Sequence, residues 1–246
     1  MHPSLFHIGH LTLPTFGALV AVGLMLALAL SQRTALIRQL NPEKLWDAGL
    51  FAVLAAFLLS RALLVATHFA AFEKFPILLL AVPSLTPIGL LLTAIATFLW
   101  LHFQRIAVLP ALDAWAPCAT LVWTFLALGH FADLSDPGLP TTLPWGIRPP
   151  GESTPLHPVA IYVAIFAALL TLAACRKLNA AQTLIAAGTG QFLLSFLRQP
   201  DAETIAGLDL LQLVALGMIV CGCILTLSSQ LQNSKLEKQP SLNPTQ

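Results

Sequence analysis

Charge is what this sequence has least of. Only 9% of its 246 residues are Asp, Glu, Lys or Arg, against 57% apolar residues, and mean hydropathy is +0.81. A soluble core of this length needs a far more polar surface, so a soluble globular protein is excluded. The net charge of +1 names no partner by itself. There is no basic–aromatic stripe, so no nucleic acid is expected. There is no G-x-G-x-x-G and no phosphate-binding loop, and no cofactor is expected. No internal repeat or pair of broken helices appears, which weighs against a small transporter. Cysteine is scarce too. Cys118, Cys175, Cys221 and Cys223 all lie in or near apolar stretches. The one close pair, Cys221 and Cys223, would point about 200° apart on a helix, so no metal is expected and the four read as small apolar fillers.

What is present is a set of seven long apolar runs. They are Pro14 to Ser31, Leu45 to Phe69, Pro76 to Phe103 with candidate breaks at Pro83 and Pro87, Ala114 to Phe131, Pro158 to Ala174, Ala180 to Leu197 and Leu208 to Leu227. Each is near the ~20 residues a helix needs to cross ~30 Å of hydrocarbon, where the backbone must satisfy its own hydrogen bonds. The expected fold is therefore an all-α, polytopic membrane protein of seven transmembrane helices.

The basic residues give the orientation. Arg33, Arg38, Lys44, Arg105, Arg176, Lys177, Lys235 and Lys238 follow runs one, three, five and seven, whereas Lys74, Arg148 and Arg198 lie on the other side. Eight against three predicts an outside N-terminus and a cytoplasmic C-terminus. The first residues carry no basic region and the first run is long enough to span, so no cleavable signal peptide is expected. Residues 1–229 form one transmembrane domain, and residues 230–246 a polar, disordered cytoplasmic tail. The outer loop 133–157 holds six prolines and three glycines, which excludes regular helix there. It is either a solvated connector or a functional loop.

Polar groups in or beside a membrane are costly and each asks for a reason. Arg61, in the second run, either snorkels to the headgroups or faces a cavity and holds an anion. Arg198 is either a helix-end anchor or a phosphate binder. His130 and Asp133, three residues apart, share a helix face and are either a chance interfacial pair or a hydrogen-bonded pair suited to proton transfer. His157 precedes Pro158, which suits a first helical position, and Tyr162, the only Tyr, follows. Gln191 and Ser195 share a face of the sixth run, and Gln212 is the lone strong polar group early in the seventh. For these an interhelical hydrogen bond is the default role.

In this order the residues resemble the prolipoprotein diacylglyceryl transferase family. Asp113-Ala114-Trp115-Ala116-Pro117 stands at the family's spacing before Ala127-Leu128-Gly129-His130-Phe131, the counterpart of its GRxGNF signature. His157-Pro158 with Tyr162 is similar to HPxxxYE, Leu197-Arg198-Gln199-Pro200-Asp201 to FRQPD, and Gln212 to the Gln of the last helix. The resemblance runs from Phe16-Gly17 to Cys223. It implies a multi-pass protein of the bacterial inner membrane. It implies a phosphatidylglycerol-like phospholipid and a preprolipoprotein as partners, with the diacylglyceryl group passing to a lipobox Cys thiol.

The departures fall on the chemistry. The signature's Arg is Ala127 and its Asn is His130. The family's upstream Arg and Glu are Gln191 and Ser195, and its helix-three HGG is absent, with Thr86-Pro87 in that region. Its Tyr-Gly is Phe16-Gly17, and its loop Glu and Gly have only Asp136 and Gly138 nearby. Arg groups would hold the phosphodiester and stabilise developing charge. Two readings stand. In one the chain is a transferase, with His130 and Asp133 moving the proton and Arg61, Arg198, His157, Tyr162, Gln191 and Gln212 binding lipid and phosphate. In the other it is a non-catalytic relative that binds lipid as a membrane subunit of a larger complex.

Overall fold

The computed structural model describes residues 4–8, 11–69, 73, 86–150, 153–199 and 207–237. Lys74, Pro83, Pro200, Asp201 and the tail from residue 238 lie outside them. Among the described residues there are seven helices: α1 Thr15–Ile37, α2 Pro42–Thr67, α3 Pro87–Phe103, α4 Val108–Asp133, α5 Val159–Arg176, α6 Ala180–Ser195 and α7 Leu210–Glu237. Five of them, α1, α2, α4, α5 and α7, are long and apolar enough to cross a membrane. The helix α3 has 17 residues and α6 has 16. A short antiparallel hairpin precedes the helices, β1 Ser4–Ile8 with β2 Leu11–Pro14, ahead of the first apolar run. The helix α7 runs on to Glu237, past the point at which the polar tail was expected to begin.

The helix ends follow from local chemistry. Asn41 accepts from the Glu43 and Lys44 amides and Pro42 opens α2. Thr86 caps α3 through the Gly89 amide at 3.1 Å, with Pro87 at its first position, so the candidate break at Pro87 is a helix start. Asn179 and Gln182 form a reciprocal capping box on α6. Three helices end differently, on a residue with positive φ that is not glycine: Gln39, Arg105 and Leu134. At each, the next amide reaches back five residues, as in Leu40 N to Ala35 O at 2.9 Å, Ile106 N to Leu101 O at 2.9 Å and Ser135 N to His130 O at 3.2 Å. These are Schellman endings, which satisfy carbonyls that the last turn leaves open.

The chain divides into two compact units, residues 28–114 and residues 1–27 with 115–246. In the first, α2 and α3 pack through Ser60 against Gly89 and through Phe51 stacked on Trp100 with centroids 4.4 Å apart. Arg38 and Asp113 approach to 3.8 Å.

In the second unit α5 is central. Val159, Val163, Ala167, Leu170 and Ala174 are buried, whereas Ile165, Leu169 and Leu172 form an exposed stripe of the kind a helix turns to lipid. The Thr171 hydroxyl donates to Thr120 Oγ1 of α4 at 2.9 Å, and Trp123 meets Phe166 edge to face at 5.9 Å. The helices α6 and α7 lie close because Gly188 has no side chain: a Cβ there would sit 2.6 Å from the Ala215 carbonyl oxygen. Small residues that let backbones approach are the usual glue between helices in lipid.

Candidate functional site

The site grows from the end of α4. Asp133 closes that helix and Leu134, at φ 53°, turns the chain back. The turn brings Ser135 to His130, whose Nδ1 shares a 2.8 Å hydrogen bond with Ser135 Oγ. Of the two alternatives for His130 and Asp133, the hydrogen-bonded one is not formed among the described residues. Asp133 is exposed at the helix end, and the Schellman turn supplies a nearer partner from beyond it. The His130 ring also meets the edge of Phe16, centroids 5.1 Å apart.

The described residues of the Pro-rich loop that follows, 134–150 and 153–157, form no helix and are tied down by backbone bonds. Leu139 N donates to Leu197 O at 2.8 Å and Gln199 N to Pro137 O at 3.1 Å, fastening the loop to the end of α6. His157 N donates to Leu139 O at 2.9 Å, Thr141 N to Pro155 O at 2.8 Å and Leu156 N to Ile147 O at 2.8 Å. Gly138 is required here, since a Cβ would overlap the His157 carbonyl. The ends of α4 and α6 and the start of α5 are thereby held in one layer.

An ion pair locks that layer. Arg198 Nε binds Asp136 Oδ1, with the two side chains 25% and 13% exposed. The pairing engages Nε of the guanidinium. Beside it lies a small cleft of about 40 Å³, lined among others by His130, Asp136, Gly138, Ile147 and His157. That is room for a few waters or part of a polar headgroup, not for acyl chains. Tyr162, in the first turn of α5, accepts from Trp145 Nε1 at 2.8 Å and lies 3.5 Å from His157 Nδ1.

The remaining residues singled out from sequence sit elsewhere. Gln212 is buried at the start of α7, where its amide and side chain exchange hydrogen bonds with Asp209 at 2.7 and 3.2 Å. It is one half of a capping box, which accounts for a polar group in an apolar run. Gln191 Oε1 is buried on α6 with no hydrogen bond among the described residues, and Ser195 turns its hydroxyl to the Phe192 carbonyl at 2.7 Å. Arg61 belongs to the other unit, and its Nε and Nη2 are shielded from solvent. Ala127 is 4% exposed in an apolar cluster with Val159, Val163 and Ala164, covered by Trp123, Leu128, Leu194 and Leu197. The position of the signature's Arg is thus filled by packing. Asp136, Ser135 and Trp145 were not given roles from sequence. Asp136 had one signal, its place in the loop near the family's Glu.

These features can be set against known proteins. The prolipoprotein diacylglyceryl transferase family model matches residues 3–228. The chain belongs to that family. The phosphatidylglycerol–prolipoprotein diacylglyceryl transferase of Thermosynechococcus vestitus is 28% identical over 236 residues, covering 87% of this chain and 88% of its own. The enzyme of the same name from Trichormus variabilis is 27% identical, over 69% of this chain and 66% of its own. That from Cereibacter sphaeroides strain ATCC 17029 is 31% identical, over 52% and 56%. Transferase chemistry, lipoprotein biosynthesis, phosphatidylglycerol and membrane helices are what the family brings with it.

Proposed function

We propose that this chain is a divergent diacylglyceryl transferase of the bacterial inner membrane. It binds the headgroup of a phosphatidylglycerol-like lipid and transfers its diacylglyceryl group far more slowly than relatives with Arg at both replaced positions. The observation that carries this reading is one cleft at the ends of apolar helices lined by His130, Asp136 and His157, with Arg198 paired to Asp136. In the proposal the terminal nitrogens of Arg198 and the His157 ring hold the phosphodiester. Tyr162 and Gln191 join the lipid-binding set, their part at the headgroup resting on the family pattern, while Gln212 is accounted for by its cap with Asp209. Arg61, in the other unit, is assigned to lipid on the family pattern alone. His130 accepts the proton of the acceptor thiol through Nε2, its Nδ1 being held by Ser135, with Asp133 at the same helix end. The thiolate sulfur bonds to the glyceryl carbon, the carbon–oxygen bond to phosphate breaks, and glycerol phosphate departs with the electron pair. Ala127 and Gln191 remove two cations from that departure. One missing contact to developing charge is worth about 100–1,000-fold in rate.

A second reading, a non-catalytic lipid-binding membrane subunit, is favoured by the packing around Ala127. An Arg there would have to displace apolar side chains, so the position is built for stability.

The two readings and the topology are tested together. Seven spans with an outside N-terminus place loop 133–157 outside and Arg176-Lys177 inside. In intact cells Ser153→Cys should react with an impermeant thiol reagent and Lys177→Cys should not, and the reverse pattern inverts the topology. With purified protein, phosphatidylglycerol and a lipobox peptide, a slow thioether product above the no-protein control supports the transferase. Lipid binding without any product supports the subunit.

A further inference from the structure

The loop between α4 and α5 carries apolar side chains that nothing in the described protein covers. Trp145 is 57% exposed, and Leu143 39%. Arg148 is exposed nearby, and Phe196 at the end of α6 is 56% exposed. The loop does not hang freely. Trp145 donates to the Tyr162 hydroxyl at 2.8 Å, which fixes it level with the first turn of α5. That helix has 18 residues, about 27 Å at 1.5 Å per residue, with no slack against ~30 Å of hydrocarbon. Its first turn must therefore lie at the membrane boundary, and Trp145 with it. The backbone bonds from Pro137 to Gln199 and from Leu139 to Leu197 bring the end of α6 and Phe196 into the same layer. An amphipathic ring, apolar neighbours and a basic side chain at one depth are what the interface between headgroups and acyl chains accommodates.

We propose that residues 134–150 of this loop are an interfacial anchor, with Trp145 seated at the headgroup–acyl boundary of the bilayer. Ile147, Pro149 and Leu156 of this loop also line the cleft. The anchor therefore holds the cleft open to the headgroup layer. The proposal concerns where the loop sits and holds whether or not transfer occurs.

Depth-dependent quenching tests it. The protein has five Trp, so the Trp145 signal is the difference between the intact chain and Trp145→Phe in liposomes. Lipids brominated near the headgroup should quench that difference signal more strongly than lipids brominated near the chain end, and aqueous iodide should quench it little. Strong iodide quenching without bromolipid quenching overturns the proposal and marks Trp145 as an aqueous surface for a protein partner. A guard against a misfolded variant uses the intact chain. A lipid carrying a diazirine near its headgroup should crosslink to residues 143–148, read by mass spectrometry. Absence of adducts there, with adducts on α5, also overturns it.

Discussion

Replacing Asp136 by Asn should weaken the protein and tighten its hold on anionic lipid. Asp136 and Arg198 are 13% and 25% exposed, between a surface pair worth about 0–1 kcal/mol and a buried one whose breaking costs about 3–5 kcal/mol. A loss of about 1–3 kcal/mol is expected. The junction itself should persist, because Leu139 N to Leu197 O and Gln199 N to Pro137 O are backbone bonds that the substitution leaves intact. The effect on binding has the opposite sign. A carboxylate about 6 Å from a bound phosphate opposes it by about 3 kcal/mol at an effective dielectric near 20. Partial exposure reduces that to about 1 kcal/mol, roughly fivefold in Kd. Thermal unfolding in detergent gives the first quantity, and titration with phosphatidylglycerol against a zwitterionic lipid gives the second. Weaker binding of phosphatidylglycerol by the variant, at unchanged stability, would refute the reasoning: Asp136 would then be orienting Arg198 for the lipid rather than competing with it.

Gln212→Ala should lower stability by about 1 kcal/mol through loss of the cap and leave phosphatidylglycerol binding unchanged. A loss of binding at unchanged melting temperature would move Gln212 into the lipid site. Gly188→Leu should destabilise by about 1–3 kcal/mol or more, because its Cβ meets the backbone oxygen of Ala215 and the helices must part; an unaltered unfolding midpoint would contradict that packing. Ala127→Arg should cost several kcal/mol, since it overpacks the cluster with Val159, Val163 and Ala164 and buries a charge, and a fully stable variant would show an open path to the cleft.

The helical core was legible because lipid requires long apolar runs, and these stand out at 9% charge. The start of α3 was legible from Thr86-Pro87, a cap residue followed by the residue that suits a first turn. The end of α3 was legible at Phe103, but that of α1 was not. It runs past Ser31 to Ile37 and closes on Gln39, where glycine is the usual sign, so the local sequence carries no stop signal. The turn at Leu134 brings Ser135 to His130, and spacing along a helix says nothing of a residue returned from beyond its end. The Arg198–Asp136 pair joins residues far apart in sequence, through a Pro-rich loop whose path only the fold reveals. The cap that Gln212 makes with Asp209 was present in the sequence as a capping signal three residues apart but was not expected. The apolar filling around Ala127 was half legible: the missing Arg was evident, its replacement by packing was not.

The central claim is that this chain keeps a phospholipid headgroup site while lacking the electrostatics for fast transfer. The most direct measurement is the rate of thioether formation on a lipobox peptide from phosphatidylglycerol, by purified protein in liposomes, beside the Thermosynechococcus vestitus relative. The account predicts saturable binding of phosphatidylglycerol and a rate at least about 100-fold below the relative's, as expected for even one lost contact to developing charge. A rate equal to the relative's would contradict it and show that His130 and Arg198 carry the reaction without the two missing cations.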